Sequence, residues 1–365
     1  MASRLCELGI VDVWVRYQDL EFLEEMIDEG LEERQRDVYH HVRRNFETVM
    51  SGAAFELDIS KYQTSIGDLF GFLKQHTCGS VLLQKLESYD NYLMSHCTNV
   101  CYLALLLGMK LERYLIEERS FKTAREAKDL QLLGLGCLLH DVGKMKTPNE
   151  ILNKPSRLTE DEMRIMENHT TNGYDMVKGQ VPPSAAQIVL NHHQRFNGQG
   201  YPTRLDPMTG EVSPPLAGKQ IPIFSRIATV VDIYDAATAQ RCYSPAKPPV
   251  RVLHEMRTWC QGFFDPVIEQ AFYEIIPPFP VGQMVKLSNG VEAAVVDFNP
   301  RHPTRPKVQG IRNPYGERYL DPAQEEIDMA LHPELRITHL QDTDITAYTA
   351  SQETFNVARS QPALA

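Results

Sequence analysis

Apolar positions recur with a helical period through most of the first 280 residues of the chain. Leu20, Phe22, Leu23, Met26 and Ile27 form one apolar set, a charged run follows at 28–36, and Val38, Val42 and Phe46 resume the pattern. Such spacing predicts helices across 1–56 that pack or signal and carry no chemistry of their own. The pattern loosens over 58–71, and long helical stretches then dominate up to Ile276. Thr159 followed by Glu162 reads as a capping box opening a helix that runs to His169. Pro182 and Pro183 start a helix carrying Ile188, Val189 and Leu190, and Pro222 sits near the N-terminus of an apolar helix over 221–239. One long polar loop, 197–219, interrupts the series.

The period changes after Ile276. Pro277, Pro278 and Pro280 do not continue a helix, and the pieces beyond them, 284–287, 292–296 and 306–308, are short and β-branched. Asn289-Gly290 is a hairpin signal, because both residues tolerate the positive φ of a tight turn. Residues 281–340 therefore read as a small β-rich appendage, and 341–365, without a clear period, as a mobile or loosely attached tail. The fold class is mainly α: a helical domain over 57–280, an N-terminal helical region over 1–56 and the C-terminal β-rich piece.

Charge narrows the function. The chain carries 48 acidic and 37 basic residues, a net charge of −11. That disfavours a nucleic-acid polymer as partner, since such a surface needs a basic stripe to neutralise phosphates. It leaves room for a small phosphate-bearing ligand, because a metal cluster reverses the sign of the field inside one cleft. The longest apolar stretches, 101–107 and 132–139, fall far short of a membrane span, and the first residues lack the features of a signal peptide, so the cytoplasm is the expected location. Seven cysteines, odd in number and without C-x-x-C spacing, argue against a disulfide framework or a thiolate zinc site.

The candidate chemistry lies in His96, His140, Asp141, His169, His192, His193 and Asp232. Imidazole and carboxylate together suit iron, manganese or zinc, whereas magnesium prefers oxygen alone. Taken singly, each has a plainer reading: His96 as a satisfied core histidine, His140-Asp141 as a helix terminus, Asp232 as half of a core salt bridge. His140-Asp141 follows an apolar stretch, where a charge must be paired, hydrogen-bonded or metal-bound, and Gly143 lets the chain turn close by. His192 and His193 end a helical run, where adjacent rings diverge by roughly 100° if the helix persists. Both then face one site only if it is broad, as a cluster of more than one metal is.

Lys144 follows the His-Asp pair closely enough to reach a metal-bound phosphate. Arg195, Arg226 and Arg241 offer planar, bidentate donors for phosphate oxygens, although each also reads as an ordinary surface arginine. Asn197-Gly198-Gln199-Gly200-Tyr201-Pro202 combines two flexible positions, a ring and a rigid residue. That suits close backbone approach to a ligand and a stacking surface for a base, or a plain turn.

These motifs, in this order, resemble the HD-GYP subgroup of the HD phosphohydrolase superfamily. The resemblance is carried by Leu138-Leu139-His140-Asp141-Val142-Gly143-Lys144, by His192-His193-Gln194-Arg195 through Gly198-Gln199-Gly200-Tyr201-Pro202, by Val230-Val231-Asp232-Ile233-Tyr234-Asp235-Ala236, and by Arg241-Cys242-Tyr243. It covers roughly 57–280, and the stretch from Phe279-Pro280-Val281-Gly282 is similar to an extension that often follows this family's catalytic domain. The resemblance implies an HD-type helical bundle holding two or three metals on His96, His140, Asp141, His169, His192, His193 and Asp232. It implies a bridging, catalytic role for Asp141, a catalytic role for Lys144, and substrate contacts from Lys144, Arg195, Gly198, Gly200, Tyr201, Pro202 and Arg241.

The activity so implied is hydrolysis of cyclic di-GMP to linear pGpG, with GMP as the product of a second cleavage. A cyclic di-GMP-binding effector with little turnover and an HD phosphohydrolase for another nucleotide are the competing readings. Members with three metals resemble one another in a glutamate four residues before the first ligand histidine. Tyr92 stands there, so two transition metals, iron or manganese, are expected. Gln194 stands where glutamate is common and Ser244 where some members carry a basic residue, and both bear on substrate binding. A signalling partner, or self-association through the N-terminal helices, completes the expectations.

Overall fold

The computed structural model describes residues 34–40, 59–75, 92–205, 208–239, 246–320 and 325–349. Within 1–56 only 34–40 belongs to this set; it is helical (α1) and buries Val38 and Tyr39 against the core. The remaining expectations for 1–56, self-association included, lie outside the described residues, as do Arg241, Ser244 and the side chain of Tyr92.

The stretch of loosened pattern is a helix, α2 (Ile59–Gln75). Its core stripe is Tyr62, Ile66, Leu69 and Leu73, spaced four, three and four residues apart and all buried. Two glycines and a run of polar residues around that stripe blur the period in the sequence. There follow α3 (Tyr92–Lys110), α4 (Glu112–Glu118), α5 (Ala124–Ala127) and α6 (Leu130–Leu139). Asp129 caps α6 by accepting from the Gln131 amide. Nearly every residue of α6 is buried, so this helix is apolar all round and forms the central rod.

After a 3-10 turn (Val142–Lys146) come α7 (Asn149–Leu152), α8 (Glu160–Glu167), α9 (His169–Val177) and α10 (Pro183–Asn191). The Thr159–Glu162 capping box forms as expected, but its helix stops at Glu167 and restarts after Asn168. His169 therefore opens a helix instead of ending one. The loop that follows α10 contains a two-residue hairpin, β1 (Arg204–Leu205) with β2 (Val212–Ser213). Three more helices complete the bundle: α11 (Ile223–Thr238), α12 (Pro249–Trp259) and α13 (Pro266–Ile275). Helices α3 and α10 flank α6, α11 packs on both α3 and α10, and α9 packs on α10.

The C-terminal piece is an antiparallel six-stranded sheet in the order β6-β5-β4-β3-β7-β8, with β3 (Met284–Leu287), β4 (Glu292–Asp297), β5 (Lys307–Arg312), β6 (Glu326–Asp328), β7 (Ile337–Leu340) and β8 (Thr343–Asp344). Asn289-Gly290 makes the β3–β4 turn, with Gly290 at φ +90° and the Asn289 side chain accepting from the Val291 amide. Residues 341–349, expected to belong to a loose tail, are instead structured. Strand β8 pairs with β7, and a last helix, α14 (Thr346–Thr349), brings the Tyr348 ring to 5.6 Å from that of His254 on α12. Residues 350–365 lie outside the described set. Val285, Leu287, Val295 and Val308 of the sheet share one continuous buried cluster with the helices. Among the described residues, no helix is long and apolar enough to cross a membrane.

Candidate metal centre

The structure brings all seven sequence-predicted ligand residues to the space enclosed by α3, α6, α9, α10 and α11. His96 comes from α3, His140 from the C-cap of α6, Asp141 from the residue after it, His169 from the start of α9, and Asp232 from α11. Helix α10 stops at Asn191, with His192 as its C-cap and His193 in the turn beyond it. Their ring centroids lie 4.2 Å apart and both reach the same centre. Two groups of donor atoms result, Asp141 with His169, His192 and His193, and His96 with His140 and Asp232, each within 4.8 Å of one another. All are buried except His193, which is half-buried.

Gly143 sets this geometry. A Cβ there would lie 1.9 Å from the His169 carbonyl oxygen and 2.5 Å from the Gly173 amide nitrogen. The turn after Asp141 is thus pressed backbone to backbone against the first turn of α9, which couples the placement of Asp141 to that of His169.

Three histidines share one orienting device. Nδ1 of His140 donates to the Cys137 carbonyl at 2.6 Å, that of His169 to Met166 at 2.7 Å, and that of His192 to Val189 at 3.0 Å. A carbonyl only accepts, so Nδ1 carries the hydrogen and, in the neutral ring, Nε2 presents its lone pair to the centre. The Nε2 atoms of His169 and His192 face each other at 3.2 Å, an arrangement that wants a cation or a proton between them. His140 Nε2 and Asp141 Oδ1 are buried without any hydrogen-bond partner. Orphaned buried atoms are costly, and these are an anionic oxygen and, once His140 gives up its second proton, a nitrogen lone pair, the donors a borderline divalent metal takes. The residues fit such an ion.

Asp141 stands between the groups. Its Oδ1 lies 3.4 Å from His169 Nε2, while Oδ2 lies 3.4 Å from His140 Nε2 and 2.5 Å from Lys144 Nζ. Asp232 directs Oδ1 to His96 Nε2 at 3.1 Å and Oδ2 toward His193 Nδ1 at 3.8 Å. Burial opposes ionisation of Asp141, but Lys144 and His140 outweigh it and hold the carboxyl well below the usual range. For His140 burial again opposes the charged form, and Asp141 overturns it, raising the pKa well above the ordinary imidazole value. Asp232 and Asp235 likewise raise His96 against its burial. With less compensation, burial pushes His193 down to about 3 and His192 well below normal, the latter helped by its histidine neighbours.

The rim holds the remaining candidates. The Tyr201 ring lies over His193, 4.6 Å between centroids and tilted 31°, so one face of it is already covered. The Tyr201-Pro202 peptide is cis. Gly200 makes its close approach to the chain's own backbone: a Cβ would meet the His193 carbonyl at 2.3 Å and the Arg195 amide at 2.5 Å. Gly198 occupies a turn position at φ +79°. The half-buried Arg195 guanidinium lies 4.0 Å above the Phe263 ring. Arg226, expected from its residue type as a phosphate donor, is instead buried in an ion-pair network with Glu118 and Asp265, and its Nε donates to the Ile221 carbonyl.

One supporting position, Asp235, escaped the sequence reading, and the structure gives Gln194, noted there only as a departure from the family pattern, a definite contact. Asp235 is fully buried and accepts from His96 Nδ1 at 2.8 Å; its three-residue spacing from Asp232 on one helix was the available signal. Gln194, buried beside the histidine pair, donates from Nε2 to the Pro202 carbonyl at 2.7 Å and clasps the Gly200–Pro202 loop to the end of α10.

The fold and the His-Asp centre define a class, and the comparisons agree with it. An HD domain matches residues 109–268, and a KOW domain associated with HD domain matches 284–345. The chain is an HD-domain protein related to the HD-GYP family of cyclic di-GMP phosphodiesterases, within the HD superfamily. It is 31% identical over 255 residues to a cyclic di-GMP phosphodiesterase of Pseudomonas aeruginosa, a match covering 69% of this chain and 56% of that one. It is 35% identical to a cyclic di-GMP phosphodiesterase response regulator of Xanthomonas campestris, over 33% of this chain and 29% of the relative. A 3′3′-cGAMP-specific phosphodiesterase of Vibrio cholerae is 32% identical over 37% of this chain and 24% of its own length. The chain thus spans about half, or less, of the length of these relatives. Among solved structures, an HDG"Y"P protein of Bdellovibrio bacteriovorus aligns with a TM-score of 0.47 at 15% identity, covering 66% of this chain and 70% of that one.

Proposed function

We propose that the chain is a metal-dependent phosphodiesterase that cleaves a 3′–5′ linkage of cyclic di-GMP to give linear pGpG, on a centre of two transition metals, iron or manganese. The observation that carries this reading is the single buried centre in which Asp141 offers one carboxylate oxygen to each of two histidine groups. Two bound cations would acidify the attacking water and offset charge on the phosphoryl oxygens. The ligands are nitrogen and oxygen without thiolate, which favours iron or manganese.

The chain's own residues do the rest. His140, His169 and His192 are locked in one tautomer by backbone carbonyls, so their donors are oriented before any ligand arrives. Lys144 sits at the edge of the centre with its side chain 22% exposed, able to turn its ammonium from Asp141 to a substrate phosphate. Arg195 on Phe263 and Arg241 supply further phosphate donors, and Tyr201 over His193 closes that flank of the centre to water. Gly198, Gly200 and Pro202 shape the loop that meets the substrate.

The test is incubation of protein loaded with Mn2+ or Fe2+ with cyclic di-GMP and, separately, 3′3′-cGAMP, with products separated by chromatography. Formation of pGpG supports the proposal. Preference for 3′3′-cGAMP moves the substrate to the specificity named for the Vibrio relative. Saturable binding without product makes the chain an effector, and neither binding nor product refutes the cyclic-dinucleotide reading.

A further inference from the structure

We propose that Asp235 is a positioning residue that makes the His96, His140 and Asp232 group the tighter of the two divalent-cation sites. This rests on the metal-dependent reading above and is independent of its substrate.

The histidine rings are held in two different ways. His140, His169 and His192 sit at helix ends, and each donates Nδ1–H to the carbonyl three residues earlier. His96 lies inside α3, where the carbonyls of the preceding turn are committed to the helix. Its acceptor comes from 139 residues away in sequence: Asp235 Oδ2, at 2.8 Å. His96 thus differs from those three rings in directing Nδ1 to a carboxylate. A full negative charge behind Nδ1 makes Nε2 a stronger electron donor than a neutral carbonyl does.

Helix geometry delivers the ligand and its support together. Asp232 and Asp235 lie three residues apart on α11, so they share a face, and they grip His96 from its two nitrogens, at 3.1 Å and 2.8 Å. Asp141 presents an oxygen to each group, Oδ2 to His140 at 3.4 Å and Oδ1 to His169 at 3.4 Å, so its charge is shared between them. The carboxylate behind His96 has no counterpart behind His140, His169 or His192, whose Nδ1 atoms meet backbone carbonyls, and the first ion bound goes to the group it supports.

The experiment titrates chelator-treated, full-length protein with Mn2+, following free Mn2+ by electron paramagnetic resonance to obtain two stepwise dissociation constants. Circular dichroism checks folding. Asp235→Asn should weaken the first constant roughly 10- to 100-fold, the range for loss of such a supporting group, and leave the second within about threefold. Asp235→Glu keeps the charge on a longer arm and should weaken the same constant by a smaller factor. His193→Ala should weaken the second constant and spare the first.

Wild-type titration in both Asp235 variants, or a change confined to the second constant, overturns the proposal. If Asp235→Asn does not fold, Asp235→Glu decides by the same criterion. A wild-type chain that takes up two ions but hydrolyses no cyclic dinucleotide removes the substrate assignment and leaves this inference standing, whereas one that takes up fewer than two removes both.

Discussion

Gly143→Ala tests whether the metal centre depends on backbone contact as the structure implies. Gly143 has no positive φ, so alanine meets no backbone strain there and the effect is purely one of space. The added Cβ would sit 1.9 Å from the His169 carbonyl oxygen, and reaching even a tight 3.0 Å contact needs a retreat of about 1.1 Å. The oxygen belongs to the backbone of a proposed ligand, so the shift passes to the His169 ring or, through the turn, to Asp141. Metal–ligand distances tolerate only about 0.2 Å, and a misplacement near 1 Å costs about 100-fold in rate. Overpacking of this kind also destabilises by about 1–3 kcal/mol. The expected result is a folded protein with lowered Tm that binds fewer than two Mn2+ under conditions saturating the wild type, with turnover down at least 100-fold. Stoichiometric binding of two ions at wild-type affinity would refute the coupling of Asp141 to His169 through this contact.

Four further outcomes are expected. Gly71→Ala, in α2 with nothing within 4 Å of the added methyl, should raise stability by about 0.5–1 kcal/mol without changing metal content, and a lower Tm would contradict it. Gln194→Ala removes the buried clasp on the Pro202 carbonyl, about 1–3 kcal/mol, and should raise KM for cyclic di-GMP while two metals stay bound; an unchanged KM counts against loop positioning. His96 and His140 hold protons above the ordinary imidazole range, so metal uptake near neutral pH should release protons and weaken as pH falls; His193, at about 3, does not compete. Calorimetry in buffers of different ionisation enthalpy reads this, and no proton release at pH 7 opposes it. A chain ending at Phe279 keeps every candidate ligand and should bind two metals, but with reduced stability, since Phe279 and Ile276 lose the cover of the sheet; loss of metal from the folded, truncated chain would place part of the centre in the appendage.

Local sequence determined the parts of this protein whose physics is local. The all-apolar run of α6, the Thr159–Glu162 box and the Asn289-Gly290 turn each need only neighbours a few residues away, and each appears where the pattern put it. The histidines and aspartates were legible as a set because their side-chain chemistry does not depend on the fold. Where propensity was diluted, as by the glycines of α2 or across the break at Asn168, the reading lost the helix or ran it too far. Only the tertiary structure decided which atoms face each other. It turned the Nε2 atoms of His169 and His192 together, drew Arg226 inward to Glu118 and Asp265, and set Asp235 behind His96. It also showed that Gly143 and Gly200 yield space to the chain's own backbone. Such pairings join residues far apart in sequence and follow from where helices cross, a property of the packed core and not of any one segment.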